Sequence, residues 1–228
     1  MSKKNVILVL LACITCLFGV VFSVQPPVAP SQFLKADSME FRMKENKTIY
    51  KNNVRAVVGK NLLTADYAVD DKSSKIMEIS GNINGYYIDE TTGVLKIKAD
   101  NGTYNSKTEG SRFWGNCWAV YTSSDGRSIE IKADSIDFDG VTREAKFFDN
   151  VSLSFEKNTA QSQFAQYFHE SKKIIMLKEK DFMPVMNYLG EGEYEAKFTA
   201  EKIVMTPENK KIYFENNVWS QITRKAGI

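Results

Sequence analysis

ADSIDFDGVTREAKFFDNVSLSF, residues 133–155, is the stretch that decides the fold. Ile136 and Phe138 share one parity. After the polar turn 139–143, Ala145, Phe147, Val151, Leu153 and Phe155 share another. Side chains of a strand point to opposite faces in turn, so the stretch reads as two strands joined by a short turn. Asp149-Asn150 interrupts the second strand with two residue types that tolerate turns and bulges, which places a corner there.

Outward from this hairpin the same pattern recurs along the chain. Copies begin at Ala36-Asp37, Ala65-Asp66, Ala99-Asp100, Ala133-Asp134, Ser162-Gln163 and Ala200-Glu201. Seventeen positions after each first residue stand Asn53, Asn82, Asn116, Asn150, Glu179 and Asn217, so five of the six copies keep Asn. The preceding residue is Asn52, Gly81, Gly115, Asp149, Lys178 or Asn216, and the following one is Val54, Ile83, Cys117, Val151, Lys180 or Val218. A further column, Tyr50, Ile79, Phe113, Phe147, Met176 and Phe214, is apolar in every copy. An isolated hairpin is marginally stable, so stacked copies must bury this stripe together. The expected fold class is all-β: a repetitive antiparallel bent sheet forming an open β-jelly-roll trough, with an N-terminal apolar leader or anchor helix. Ile88 to Thr92, Ser123 to Arg127 and Phe182 to Gly192 are expected to be projecting loops.

The first residues follow other rules. Lys3 and Lys4 precede an uncharged apolar run from Val6 to Val24, and Pro26, Pro27 and Pro30 break any continuing helix. Residues 1–24 read as a signal peptide or membrane anchor, 25–35 as a linker, 36–222 as a trough of six repeats and 223–228 as a tail. Val21 and Ser23 suit cleavage after Ser23, whereas the length of the run suits a retained anchor, and both readings stay open. Either way the remainder is expected to be exported across the membrane.

Composition narrows the function. The formal net charge of +2 is carried by Lys3 and Lys4, leaving the exported part neutral, which argues against nucleic-acid binding. Cys13 and Cys16 lie in the leader, so Cys117 has no disulfide partner in the exported chain and reads as a buried residue. His169 is the single histidine, which excludes a multi-histidine zinc site, and it reads as a turn residue. Glu191 and Glu193 lie in a Gly-rich loop, where a glycosidase pair is the weaker reading. The Asn column reads as local backbone hydrogen bonding, and Asp37, Asp66, Asp100 and Asp134 read as exposed edge or turn residues. No catalytic residue, metal site or cofactor is expected.

The pattern of Ala-Asp, alternating strand, charged turn, strand, then Gly-Asn or Asn-Asn and Val resembles the OstA-type repeat of the LptA and LptC lipopolysaccharide-transport proteins. ADSIDFDGVTREAKFFDNVSLSF (133–155) and AEKIVMTPENKKIYFENNV (200–218) carry the likeness, which extends from about Ala36 to Trp219. It implies a periplasmic β-taco trough that shelters lipid A acyl chains between the inner and outer membranes, without enzymatic activity. It implies as partners lipopolysaccharide and other OstA-like proteins joined by edge-strand pairing, with a head-to-tail homo-oligomer as one form. An LptC-like anchored component is the alternative within the pathway, and a structural or adhesive β-solenoid that binds only protein is the alternative outside it.

The lipid-binding residues expected on this reading are Phe41, Tyr50, Val54, Ile79, Ile83, Tyr104, Phe113, Ile136, Phe138, Phe147, Val151, Phe155, Tyr167, Met176, Ile203, Met205, Phe214 and Val218. The same columns would serve as packed core in a filled solenoid. Burying acyl chain is worth about 0.8 kcal/mol per methylene, so an apolar groove holds a multi-chain lipid without a charged anchor inside it. Trp114, Trp118 and Trp219 fall near corners, where each could cap the trough or cover an edge.

Overall fold

The structure, a computed structural model, describes residues 32–224 apart from 59, 90–92, 143, 190–193 and 208–209. The leader or anchor expected at 1–24 lies outside the described residues. The strands are β1 (Gln32–Lys35), β2 (Ser38–Arg42), β3 (Lys47–Val58), β4 (Asn61–Asp71), β5 (Ile76–Asp89), β6 (Gly93–Asn105), β7 (Gly110–Ser123) and β8 (Ser128–Phe138). They continue as β9 (Ala145–Phe155), β10 (Asn158–Phe168), β11 (Lys173–Leu177), β12 (Val185–Leu189), β13 (Tyr194–Thr199), β14 (Lys202–Thr206), β15 (Lys211–Glu215) and β16 (Trp219–Arg224). All pairings among them are antiparallel and belong to one open sheet.

The sheet is folded along a line of corners into two layers. Strands β3 to β10 cross this line. Near the ends of the sheet a crossing divides into two short strands: β1 and β2 flank Ala36-Asp37, β13 and β14 flank Ala200-Glu201, and β15 and β16 flank Asn216-Asn217. The registers show the division. Strand β3 pairs β2 through Lys47 to Lys51 and β1 through Arg55 to Val58. Strand β10 likewise pairs β11 through Phe164 to Phe168 and β12 through Thr159 to Gln161. Beyond β10, one layer continues as β11, β14 and β15, and the other as β12, β13 and β16.

The corners are β-bulges. Between the pairs Lys51↔Tyr67 and Val54↔Ala65, Asn52 and Asn53 stand opposite Asp66 alone. Gly81-Asn82 and Gly115-Asn116 repeat this opposite Asp100 and Asp134. Both bulge residues are left-handed at every such corner, as in Asn52 (φ 60) and Asn53 (φ 49), or Gly115 (φ 78) and Asn116 (φ 49). An extra residue bends the strand and sharpens its twist, which turns the sheet over on itself.

Each corner Asn also reaches back to the carboxylate of the crossing before it. The amide donates from Asn53 to Asp37 at 2.7 Å, Asn82 to Asp66 at 2.8 Å, Asn116 to Asp100 at 2.7 Å and Asn150 to Asp134 at 2.8 Å. In the sixth repeat Asn217 donates to Glu201 at 2.8 Å. The Asn column therefore makes a side-chain ladder instead of the local backbone bonds expected from the residue type. The Asp column, exposed as expected, supplies the acceptors. Glycine is required at two corners by space as well as by φ: a Cβ on Gly81 would lie 2.5 Å from Asp66 Oδ2, and one on Gly115 2.7 Å from Asp100 Oδ2.

Two segments differ from their sequence reading. Gln32–Lys35, assigned to the linker, is β1, because Arg55 to Val58 would otherwise leave its outer backbone groups unpaired. Within Phe182 to Gly192, assigned to a loop, Val185–Leu189 is β12. The fifth repeat has Gln163 and Glu179 in place of the carboxylate and Asn, and its chain leaves the corner through 178–184 before returning to the second layer as β12.

The corner ladder generates a stability prediction. Asn116→Ala removes a charge-assisted hydrogen bond and the side chain best suited to a left-handed backbone, and should cost about 1–3 kcal/mol. Gly115→Ala should cost a comparable ~1–3 kcal/mol through backbone strain and the clash with Asp100. The outer-face substitution Lys146→Ala should stay within about 0.5 kcal/mol. Denaturant unfolding of the three variants checks this order.

Candidate functional site

The two layers turn their apolar faces inward. In β9 the buried residues are Ala145, Phe147, Val151 and Leu153, and the two-residue bulge keeps them on one parity through the corner. A crossing with one residue at the corner changes parity instead. In β8 the inward residues are Ile131 and Ala133 before Asp134, then Ile136 and Phe138 after it.

Of the expected lipid-binding residues, Tyr50, Val54, Ile79, Ile83, Tyr104, Phe113, Ile136, Phe147, Val151, Met176, Ile203 and Met205 are buried in one cluster drawn from both layers. Phe138, Phe155, Tyr167 and Phe214 are half-buried and pack against it. Phe41 (64% exposed) and Val218 (51% exposed) stand outside the cluster, Phe41 on edge strand β2 and Val218 just before edge strand β16. Alternation along a strand predicts burial only where neighbours cover both sides, and an edge lacks one neighbour.

The layers approach closely enough that most inner side chains bury one another. Phe198 of β13 stacks on Phe214 of β15 with centroids 4.4 Å apart, a contact between layers. Open space lies toward the free lips, where the turns of the two layers face each other. A cleft of about 610 Å³ runs between the β9–β10 turn and the β14–β15 turn, with Leu153, Ile174 and Met205 at its base and Phe155 and Ile212 along its walls. A second space of about 210 Å³ lies beside Tyr121, Ile129, Phe155 and Tyr167. Among the described residues, contacts that join the lips near these spaces include Arg127, which donates to the Pro207 carbonyl at 2.8 Å, and Lys210, which pairs with Glu156 at 3.1 Å.

Polar groups on the inner face are few and were not singled out in the sequence. Thr48 is buried, and its cross-strand partner Asp70 lies on the same face, opposite buried Met77 on its other side. Burial pushes the Asp70 carboxyl above its ordinary pKa, opposed by Lys72 and Lys75. Burial also raises the Tyr50 hydroxyl, with the Asp70 charge adding to the effect. Asn61 and Asn158 hold the lip ends of β4 and β10, accepting hydrogen bonds from the backbone of Ile88 and Leu189.

The remaining candidates take structural positions. Cys117 is buried beside the Asp134 carbonyl, and burial pushes its thiol up to about 11. His169 sits in the β10–β11 turn, edge-on to Tyr167. Trp114 is exposed beside a corner, Trp118 stacks with the Lys98 ammonium 5.2 Å from its ring, and Trp219 is exposed on edge strand β16. Among the described residues no group of His, Cys, Asp and Glu side chains is placed to hold a metal ion.

The raised Asp70 pKa has a definite sign. The folded chain favours the protonated acid, so ionisation costs stability as pH rises through the unfolded value near about 4 toward the folded one, and the full cost persists above both. Asp70→Asn should therefore raise the melting temperature at pH 7 and leave it unchanged at pH 3. Thermal scans at the two pH values measure the difference.

No curated protein matches the chain. Among solved structures, the LptA-homologous periplasmic component LptH of the lipopolysaccharide transport device from Pseudomonas aeruginosa aligns with 13% identity and a TM-score of 0.32, over 66% of this chain and 84% of that one. Residues 34–211 match the profile of the LptA/(LptD N-terminal domain) LPS transport proteins, a span that takes in all of β2 to β14. With more than half of its length inside that match, the chain belongs to the LptA/LptD N-terminal family of lipopolysaccharide transport proteins.

Proposed function

We propose that the chain is an LptA-like periplasmic carrier that shelters lipid A acyl chains between its two layers during transport from the inner to the outer membrane. The observation that carries the reading is the single apolar interior built by both layers and open to a cleft at the lips. The cleft matches the ~300–1,000 Å³ of pockets for drug-sized bodies, which is less than a multi-chain glycolipid needs. Loading thus requires the lips to part, exposing columns that otherwise bury one another. The corner ladder joins the layers along one line, and the polar contacts across the lips among the described residues include a hydrogen bond from the Arg127 guanidinium to a backbone carbonyl and one exposed ion pair. Exposed ion pairs are worth ~1 kcal/mol or less, so acyl burial outweighs them.

The exposed apolar residues Met39 and Phe41 on β2, with Val218, Trp219 and Ile222 on or beside β16, suit pairing of the two sheet ends with other OstA-like chains or with a second copy. An LptC-like anchored role rests on the uncharged run from Val6 to Val24. The protein-binding solenoid draws its support from the mutual burial of the inner columns. Neither reading calls for covalent chemistry.

Photo-crosslinking in cells separates carrier from solenoid. Crosslinkers at Phe155 in the cleft wall and Phe147 in the deep column should both capture lipopolysaccharide, while those at outward Arg112 and Lys146 should not. Capture at none of the four would favour the filled solenoid. Equal capture at all four would contradict the inward assignment.

A further inference from the structure

We propose that Asp70, with the hydroxyls of Thr48 and Tyr50, is a polar notch in the apolar wall of the trough that takes the hydroxyl group of a hydroxyacyl chain. The inference rests on the carrier reading and adds to it the class of acyl chain that the wall recognises. Thr48 stands directly across from Asp70, and Tyr50 lies two residues farther along β3 on the same face. The Thr48 hydroxyl faces that of Tyr50 and opposes the effect of burial on it. The flanks of the notch are apolar. Buried Met77 pairs with Asp70 from β5, while exposed Met39 and Phe41 of edge strand β2 pair with Tyr50 and Thr48. The cluster therefore sits where the inner wall runs out to an uncovered end of the sheet.

Asp70 is the one charged residue in an inner row that crosses the first layer from Phe41 through Met77 to Ile174 and Met205. No described residue donates a hydrogen bond to its carboxylate. A half-buried acid without a donor works against the fold, and its neighbours in the row offer no packing reason to keep one. Such a group is placed to be completed by a ligand. Charge narrows the choice. Lys72 and Lys75 already act on the carboxylate, with Asp71 opposing them, and among the described residues no second acid converges on it to hold a metal ion. A cationic ligand would meet both lysines, whereas a neutral donor would not. Position narrows it further, because whatever reaches Asp70 lies against Met77 in the wall that acyl chains occupy on the carrier reading. The donor is thus carried by an apolar chain and not by a sugar. One acyl hydroxyl can donate to Asp70 while it accepts from Tyr50, which uses both of its capacities.

The test uses the whole chain and two synthetic glycolipids, identical except that the acyl chains of one carry 3-hydroxyl groups. The chain should bind the hydroxylated lipid roughly 3–10-fold more tightly, less than a fully buried charge-assisted hydrogen bond gives because Asp70 is half exposed. Asp70→Leu removes every acceptor and should bring the two affinities within about twofold of each other. Its melting temperature at or above that of the unsubstituted chain shows the fold intact. Tyr50→Phe keeps the ring and should reduce the preference by roughly half. Glu78→Gln, on the outward side of β5, should preserve it. Equal affinities in the unsubstituted chain would overturn the notch and leave the carrier reading standing. So would a preference unchanged by Asp70→Leu, whether both lipids weaken alike, which puts the donor on the sugar, or neither does. Failure of both lipids to bind would remove the carrier reading, and the notch with it.

Discussion

A two-residue left-handed corner, with its asparagine reaching back to the carboxylate one crossing earlier, is the constraint from which the shape follows. Each unit joins neighbouring crossings, so the units line up into a fold line across the sheet. An antiparallel sheet of this width with ordinary twist would splay and leave one apolar face in water. Repeated at Asn53, Asn82, Asn116, Asn150 and Asn217, the bend brings the two halves of that face together. The interactions that set the fold line are polar and exposed, whereas those that profit from it are apolar and buried.

The bulge also governs which residues face inward. With two residues at the corner, Phe147 and Val151 remain on one parity; with one, Ala133 and Ile136 exchange parity. Both patterns are needed for each layer to present one apolar face. A single insertion or deletion at a corner would turn half a strand outward. The strand continuity and the Asn ladder that join the layers lie along the fold line, and on the proposed carrier function the layers part at the opposite side, where the Arg127–Pro207 hydrogen bond and the Lys210–Glu156 pair cross the lips. On the proposed carrier function, exchange of side-chain contacts for acyl-chain contacts would leave apolar burial nearly constant during such a motion.

Much of this was legible in the residues. The alternation in 133–155, its recurrence and the Gly, Asn and Asp before each corner gave strands, repeats and bends. The Asp-to-Asn ladder has a constant separation of sixteen residues and was open to view, yet residue type suggested backbone partners instead. Strand β12 was hidden because the five residues 185–189 hold no clear alternation and one of its two partners, Thr159 to Gln161, lies far away in sequence. Phe41 and Val218 follow the same rules as buried members of their columns, and only their place at the sheet ends exposes them.

The fold-line hinge is tested most directly by the distance between the two ends of one crossing. Spin labels at Ser124 and Val141, both exposed and located beyond opposite ends of β8, report the opening of the layers, while labels at Val141 and Ser74 report distances within one layer. Pulsed dipolar spectroscopy should show the first distance lengthening when lipopolysaccharide is added, with the second unchanged. Lipid binding with both distances fixed would contradict a trough that loads by parting its lips.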